Sequence, residues 1–523
     1  MPPASDDPAP LENRVSRRVT RAFGARGVGW RLFFTCWLIF GLHFSTEIVR
    51  EIYPAVALGD HLSFRVDEYA GLHPDIFQTE EHGWHIANNP GVSMLAAVPY
   101  ALARPVIDPV VERVREKRAG RDESEVPEYD SPWANERAFF AEAWRRGLDV
   151  KLGLAALVMQ LFCMAPLSAL SAVAVFYLLR RLLDSDARAL TLAVLYAVGT
   201  PVLFRAGYLN HNFLLGVFAL LGFWALWDPG GHLEMSRRAR YALAGLAGGT
   251  AVLFDYSGVV FLGGLFLYGM VRLREEGGPE GWIRPGVWYA VGAAGPVLLL
   301  WFYQWKSFGN PFLPAQHWMP PVQWIEEGYQ GYGWPKLDVL WGLAFDHRYG
   351  LFTSGPILAL AFAAPFVDRG TGRRLPVRET AFALLLFAAL WVFFSGTSYS
   401  RLQFNSGVRY MTPIIPFLFL PVAVVLVRMR RWSVYLVGAV SVTLSWCLAM
   451  YREVERPLGV LDPVARTLVG GLDLPVLDTL ERLGGAYGGF ASQGTSPIPL
   501  FLLAGALIWF LWSPALWKKA EGR

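Results

Sequence analysis

Charge is what this 523-residue chain has least of: Asp, Glu, Lys and Arg make up 17% of it, against 54% hydrophobic residues. Soluble domains carry closer to a quarter charged residues, so the shortage excludes an ordinary water-soluble globule. Cysteine is nearly absent. Cys36, Cys163 and Cys447 lie far apart, each inside an apolar run, which excludes a disulfide framework or a cysteine metal centre and leaves them as packing residues. Lysine is scarce as well, six among 47 basic residues, which with abundant Ala, Gly and Pro suggests a GC-rich bacterial gene. The sequence has no Asn-x-Ser/Thr sequon, no ATP-type phosphate loop and no fixed-period repeat. Its net charge of +4 is small and gathers at the ends of apolar runs, so it bears on topology and gives no reason to expect nucleic acid as a partner.

What the chain has is apolar length. A bilayer crossing takes about 20 mostly apolar residues, and candidate segments lie near 31–49, 150–179, 187–205, 211–228, 240–255, 257–272, 285–305, 350–367, 379–396, 410–427, 432–450 and 497–517. The expected fold is therefore an all-α polytopic membrane protein with about 12 transmembrane helices. The stretch 91–107 is apolar but short and holds Pro99 and Pro105, so it reads either as a span or as a helix lying in the interface. The positive-inside bias favours the second reading, because one more span would invert every later loop. Without it, the inner loops hold 19 Arg plus Lys in 55 residues and the outer connections after residue 150 hold 10 in 113. The loop 108–149, with eight basic and eleven acidic residues, stays outside on this count and is given no function.

Three regions follow. Residues 1–30 form a basic cytosolic tail, and no small-residue cleavage site follows the first apolar run, so the first helix is read as uncleaved. Residues 31–305 form a transmembrane module that includes a large external loop, 50–149, with interfacial helices. Residues 306–523 form a second module with external loops 306–348, 396–409 and 452–496.

Under this topology the unusual polar residues fall on the outer side. Asp67 and Glu68 sit in RVDEYAG; His82, His85, Asn88 and Asn89 in EHGWHIANNPG; Tyr208, Asn210, His211 and Asn212 in GYLNHN. Asp255 and Tyr256 occupy the turn of FDYSG. Lys306, Asn310 and His317 lie in KSFGNPFLPAQH, Asp346, His347 and Arg348 in FDHRYGLF, and Arg401, Asn405, Arg409 and Tyr410 in SRLQFNSGVRYM. Ionisable groups at membrane depth are costly and mark functional paths or sites by default. Singly, each has an ordinary explanation: Asn88–Asn89–Pro90 a turn, Arg409 a snorkelling side chain, Asp255 a helix cap. Together they favour a site.

Five stretches resemble a known family: VDEY (66–69), NNPGVSMLAAVPYAL (88–102), FGNPF (308–312), RYGLFTSGP (348–356) and GVRYMTPIIPFLFLP (407–421). In order and spacing the chain looks like the GT-C superfamily of integral-membrane glycosyltransferases. The closer resemblance is to the bacterial branch of protein O-mannosyltransferases, aminoarabinose transferases and Rgt-type enzymes. It covers most of residues 31–428. The resemblance implies a polyprenyl-phosphate sugar as donor and an acceptor glycan, lipid or protein on the external face of the bacterial cytoplasmic membrane. It implies a base in the first external loop, which maps to Asp67 with Glu68 as the alternative. The leaving phosphate needs cations, and arginine's planar fork suits it. Arg409, Arg348 and Arg401 are the candidates, with Lys306 and His85 behind them; many relatives carry a Lys or Arg near the NPG stretch, where this chain has His85. Asn88, Asn89, His211, Asp255, Tyr256, Asn310 and Tyr410 would line the substrate. No cofactor is certain; a divalent cation could sit among Asp67, Glu68, Asp75 and the histidines, although their spacing matches no standard metal motif. The alternatives are a transporter or flippase of lipid-linked glycans, which would favour broken helices and symmetric halves, and a non-catalytic protein of an envelope complex.

Overall fold

The computed structural model describes residues 25–119, 126–229, 231, 233–276, 281, 283–403, 407–484 and 494–513; Asn405 and most of the basic tail lie outside them. The chain is a polytopic helical membrane protein. A helix occupies each of the twelve apolar segments, and five helices are by length and composition able to cross a bilayer on their own. The expected 350–367 segment is broken: Leu351–Ser354 gives way to a tighter helical run, Pro356–Ala363, before Ala364–Val367. Pro356 lacks the N–H that a continuous helix would need there.

The first helix, α1 (Ala25–Leu42), leads into α2 (Ile52–His61), a two-stranded antiparallel hairpin (β1 Ile76–Thr79, β2 Gly83–Ile86) and α3 (Gly91–Arg118). The hairpin was not expected; its alternating residues and Gly83, at φ +84°, supply what a tight turn needs. After α4 (Ala134–Arg145) comes α5 (Asp149–Leu182), which carries a π-helical turn at Gln160–Met164. There the Gln160 amide donates to Phe40 O (2.9 Å) and Ala206 O (3.0 Å), fixing residue 160 level with the ends of α1 and of the fourth apolar helix's entry loop. The 11 residues before it extend roughly 16 Å beyond that level at 1.5 Å per residue.

That extension decides how α3 lies. Its first residue, Gly91, packs so close to Leu253 and Phe254 that a Cβ would come within 2.8 Å of both. Its last, Arg118, pairs with Asp149 at the far tip of α5 (2.8 Å). Both ends of this 28-residue helix therefore meet the same end of the bundle, while by length and composition α3 is one of the five helices able to cross a bilayer. Leu95, Val98, Leu102 and Val106 form an exposed stripe at helical spacing, while Val92, Ala96, Tyr100 and Ile107 face protein.

Further helices include α6 (Asp186–Val198), α7 (Val202–Arg205), α8 (His211–Trp227), α9 (Arg237–Phe254), α10 (Gly258–Glu276), α11 (Ile283–Phe308), α12 (Leu337–Phe345), α13 (Val377–Ser395), α14 (Ile415–Arg428), α15 (Arg431–Tyr451) and α16 (Ile498–Trp512). α8 and α14 form the buried axis; Gly216 of α8 lets the two meet, since a Cβ there would stand 2.3 Å from Pro413 O. Two sets of loop contacts separate the ends. At one, Ser45 N–H donates to Gly207 O (2.7 Å), Asn89 to Val252 O (2.8 Å), and Arg452 meets Glu47 (3.3 Å). At the other, Arg374 meets Asp184 (3.0 Å), Arg428 meets Asp368 (3.1 Å) and Arg272 donates to Trp227 O (2.9 Å). The first is the loop-rich end, the second the arginine-rich end.

Candidate functional site

At the loop-rich end, four segments distant in sequence meet around Arg50. The residue stands two positions before α2 and is held by Asp75 (3.5 Å), the Ala87 carbonyl (3.5 Å) and Glu51 (3.7 Å). Its Nη2 also donates to His211 Nε2 (3.4 Å). His211 opens α8, and its Nδ1–H donates to the Glu51 carboxylate in a short, fully buried hydrogen bond. Asp255, the residue that ends α9, stands 3.7 Å from His211 Nε2, and its Oδ1 accepts from Ser257 N–H (2.8 Å). Glu51 and His211 are buried, whereas Arg50, Asp75 and Asp255 keep 20–26% of their side chains exposed and so form the open side of the cluster.

The electrostatics keep these charges in place. Burial works against the Arg50 cation, but Glu51, Asp75, Tyr410 and Asp255 outweigh it and raise its pKa. Burial likewise raises the Glu51 carboxyl, yet hydrogen-bonded His211, Arg50 and Arg409 bring it below its ordinary value. Burial lowers His73, which lies within the reach of Asp75, Arg50 and Arg409.

Arg409 reaches this cluster with its charge. It is half-buried, its guanidinium lies 5.2 Å from the Tyr410 ring, and its backbone is pinned by Gln403 Oε1 (2.8 Å) and the Thr412 hydroxyl (2.7 Å). Among the described residues it has no carboxylate partner. The other arginine candidates are committed elsewhere. Arg348 pairs with Asp346 (3.3 Å) and Glu455 (3.5 Å), and Arg401 pairs with Asp338. Lys306 is exposed beside the Trp305 ring at 5.3 Å.

Asp67 and Glu68 sit apart from the Arg50 cluster. Arg65 clasps Asp67 through two N–H groups (2.9 and 3.2 Å), and Trp84 N–H donates to it (3.0 Å). Partial burial raises the Asp67 carboxyl, but Arg65 and Trp84 hold it below the usual range. Glu68 accepts from Lys151 (3.2 Å) with Arg115 at 3.6 Å. Both acids are about 40% exposed.

Of the expected lining residues, His211, Asp255 and Tyr410 belong to the cluster. Asn88 is buried and its whole amide lacks a hydrogen-bond partner among the described residues, while Asn89 ties the loop to α9. The Tyr256 hydroxyl accepts from Gln304 (2.6 Å). Asn310 caps its own turn through Phe312 N–H (2.9 Å). His85 donates through Nε2 to His82 O (3.0 Å), and burial lowers its pKa. Arg50 and Glu51 were not singled out in the sequence, although a charged pair at the end of an apolar run is the signal that marks them.

Among the described residues, one group has metal-like proximity: Asp60, His61 and Glu68. The donor set does not suit an ion as it stands, because Lys151 Nζ already bridges Asp60 (2.9 Å) and Glu68 (3.2 Å), and Arg104 adds a second cation to Asp60 (3.1 Å).

No family model and no curated protein matches the chain. Two solved structures do, both of ArnT from Cupriavidus metallidurans, one in the apo state and one bound to undecaprenyl phosphate. Each is 16% identical, with TM-scores of 0.46 and 0.47. The alignments span 92% and 97% of this chain and 74% and 77% of that one.

Proposed function

We propose that the chain is a membrane glycosyltransferase that moves a sugar from a polyprenyl-phosphate-linked donor to an acceptor at the loop-rich end, on the outer face of a bacterial cytoplasmic membrane. The observation that carries this reading is Arg409: a half-buried guanidinium without a carboxylate partner among the described residues, set at the head of α14 beside the Arg50–Glu51–His211–Asp255 cluster. A phosphate on a lipid anchored between helices would find there a planar donor whose hydrogen bonds are not already committed to an acid.

In this reading the acceptor hydroxyl attacks the anomeric carbon while the bond from that carbon to the phosphate oxygen breaks. The bonding pair leaves with the phosphate, where Arg409 offsets the charge, and the hydroxyl proton passes to a carboxylate. Asp67 is assigned as that base, with Glu68 as its alternative. Its pair with Arg65 would open as substrate arrives, freeing the acid for the proton and a guanidinium for the phosphate. Asp255 is the acid that the buried cluster itself presents. A single displacement inverts the anomeric centre. At the Asp60–His61–Glu68 group the reading needs no metal, since Lys151 and Arg104 already supply cations there.

The test is direct: purified full-length protein in nanodiscs is titrated with undecaprenyl phosphate, the ligand of one ArnT structure, and membranes with and without the gene are compared for envelope glycans. Binding that weakens tenfold or more in Arg409→Ala, with a glycan missing from the deletion strain, supports the reading. Equal binding by both proteins, or unchanged glycans, overturns it.

A further inference from the structure

Around the Arg50 cluster the carboxylates are engaged with cations, and several neutral groups remain without a partner among the described residues. Asn88 is 5% exposed and Asn212 is 1% exposed; in both, the amide nitrogen and the amide oxygen make no hydrogen bond among the described residues. The Ser257 hydroxyl, fully buried, is in the same condition. All three are sequence neighbours of the cluster. Asn88 follows Ala87, whose carbonyl accepts from Arg50 (3.5 Å); Asn212 follows His211; and Ser257 donates its backbone N–H to Asp255 (2.8 Å).

The direction of Asn212 follows from helix register. In α8 it lies one turn before Gly216 and on the same face, and Gly216 abuts Pro413, four residues beyond Arg409. α8 and the segment entering α14 both run from the loop-rich end, so Asn212 faces the stretch that carries Arg409. Buried amides without partners are costly, which is why such groups are rare outside sites that hold something. An amide offers two donors and a two-lone-pair acceptor, the pattern that vicinal hydroxyls match. A ring of tyrosines lies nearby: Tyr332, Tyr399 and Tyr410 are joined through the 2.7 Å Tyr399–Tyr332 hydroxyl bond and the 6.0 Å approach of the Tyr399 and Tyr410 rings.

We propose that Asn88 and Asn212, with the Ser257 hydroxyl, form the sugar subsite and that it takes a neutral, hydroxyl-rich pyranose. This rests on the reading of the chain as a polyprenyl-phosphate glycosyltransferase. A charged sugar, whether uronic acid or amino sugar, would have to compete for groups that Arg50 already pairs with Glu51 and Asp75. A neutral ring meets amides and a hydroxyl that lack partners.

The experiment uses the full-length protein in nanodiscs and three probes of one prenyl length: undecaprenyl phosphate, the same lipid bearing glucose, and the same lipid bearing 4-amino-4-deoxyarabinose. The glucosyl lipid should bind roughly tenfold or more tightly than the aminoarabinosyl lipid, as expected when a polar site finds or misses its hydroxyls. Asn88→Ala and Asn212→Ala should each pull that ratio toward one. Because neither amide has a partner in the folded chain, both variants should melt at or above the wild-type temperature, an outcome that a structural role would reverse. Equal binding of the two glycolipids, an undiminished ratio in both variants, or a lower melting temperature in both overturns the proposal while leaving the lipid-phosphate reading in place. Failure of undecaprenyl phosphate to bind at all removes that reading and this one with it.

Discussion

Glu51 and His211 are 160 residues apart in sequence and share one buried hydrogen bond that ties the start of α2 to the start of α8. Three charged neighbours are arranged about that bond: Arg50 on the far nitrogen of His211, Asp75 on Arg50, Asp255 across from both.

Removing one partner of this pair should therefore cost stability. A buried ion-paired group stripped of its partner typically costs about 3–5 kcal/mol, so Glu51→Gln and His211→Ala should melt well below wild type in detergent, and the double variant should show less than the sum of the two losses. Additive losses would show that the two side chains act separately.

The same pair sets a pH dependence. Glu51 has its folded pKa depressed, so its contribution is present above the unfolded carboxyl value of about 4.3 and is lost as pH falls toward the folded value. Melting temperature should be flat with respect to this group at neutral pH and drop below about pH 4, and Glu51→Gln should flatten that acid limb. An identical limb in the variant would assign it to other acids.

Asp67→Asn should lower transfer by about 10²–10⁴-fold, the usual contribution of a positioned base, while the protein stays folded and still binds undecaprenyl phosphate. Arg65→Ala should act differently, since it releases the carboxyl from its bidentate clamp and raises its pKa toward the ordinary range. If Asp255→Asn is silent for folding but abolishes transfer while Asp67→Asn does not, the base belongs to the buried cluster.

Gly216→Ala should destabilise the axis of the bundle. The added Cβ would stand 2.3 Å from the Pro413 carbonyl and 2.6 Å from its Cα, both backbone atoms that cannot swing aside. Overpacking of this kind costs about 1–3 kcal/mol, read as a lower melting temperature; wild-type stability would mean that α8 and α14 do not meet there.

The course of α3 can be checked by labelling. In a cysteine-free background, His61→Cys and Glu112→Cys should both react with a membrane-impermeant maleimide in intact spheroplasts, and Arg374→Cys only after permeabilisation. Reaction of Glu112→Cys only after permeabilisation would make α3 a span.

Much of the fold is legible locally. Apolar run length marks where helices form, and the skew of arginine toward alternate loops assigns those loops to two sides; the contacts Arg374–Asp184 and Asn89–Val252 join loops that this skew places together. Motif strings also lead to His211, Asp255, Arg409 and Tyr410, because polar residues interrupting apolar runs stand out. Arg50 and Glu51 do not, since a charged pair where a span ends reads as an ordinary interface flank. Nor does any string separate Arg409 from Arg348 and Arg401. Each is an arginine near a helix end, and only the distant acids Glu455 and Asp338 distinguish them.

By itself, then, the sequence determined the medium of this protein and the alternation of its loops, because hydrophobic length and the skew of basic charge belong to contiguous residues. The tertiary structure decided which charges meet. Glu51 finds His211, and Arg409 has no acid partner among the described residues, through packing that brings α2, α8, α9 and α14 to one point, and long-range contacts of that kind leave no period and no spacing for a single strand of sequence to display.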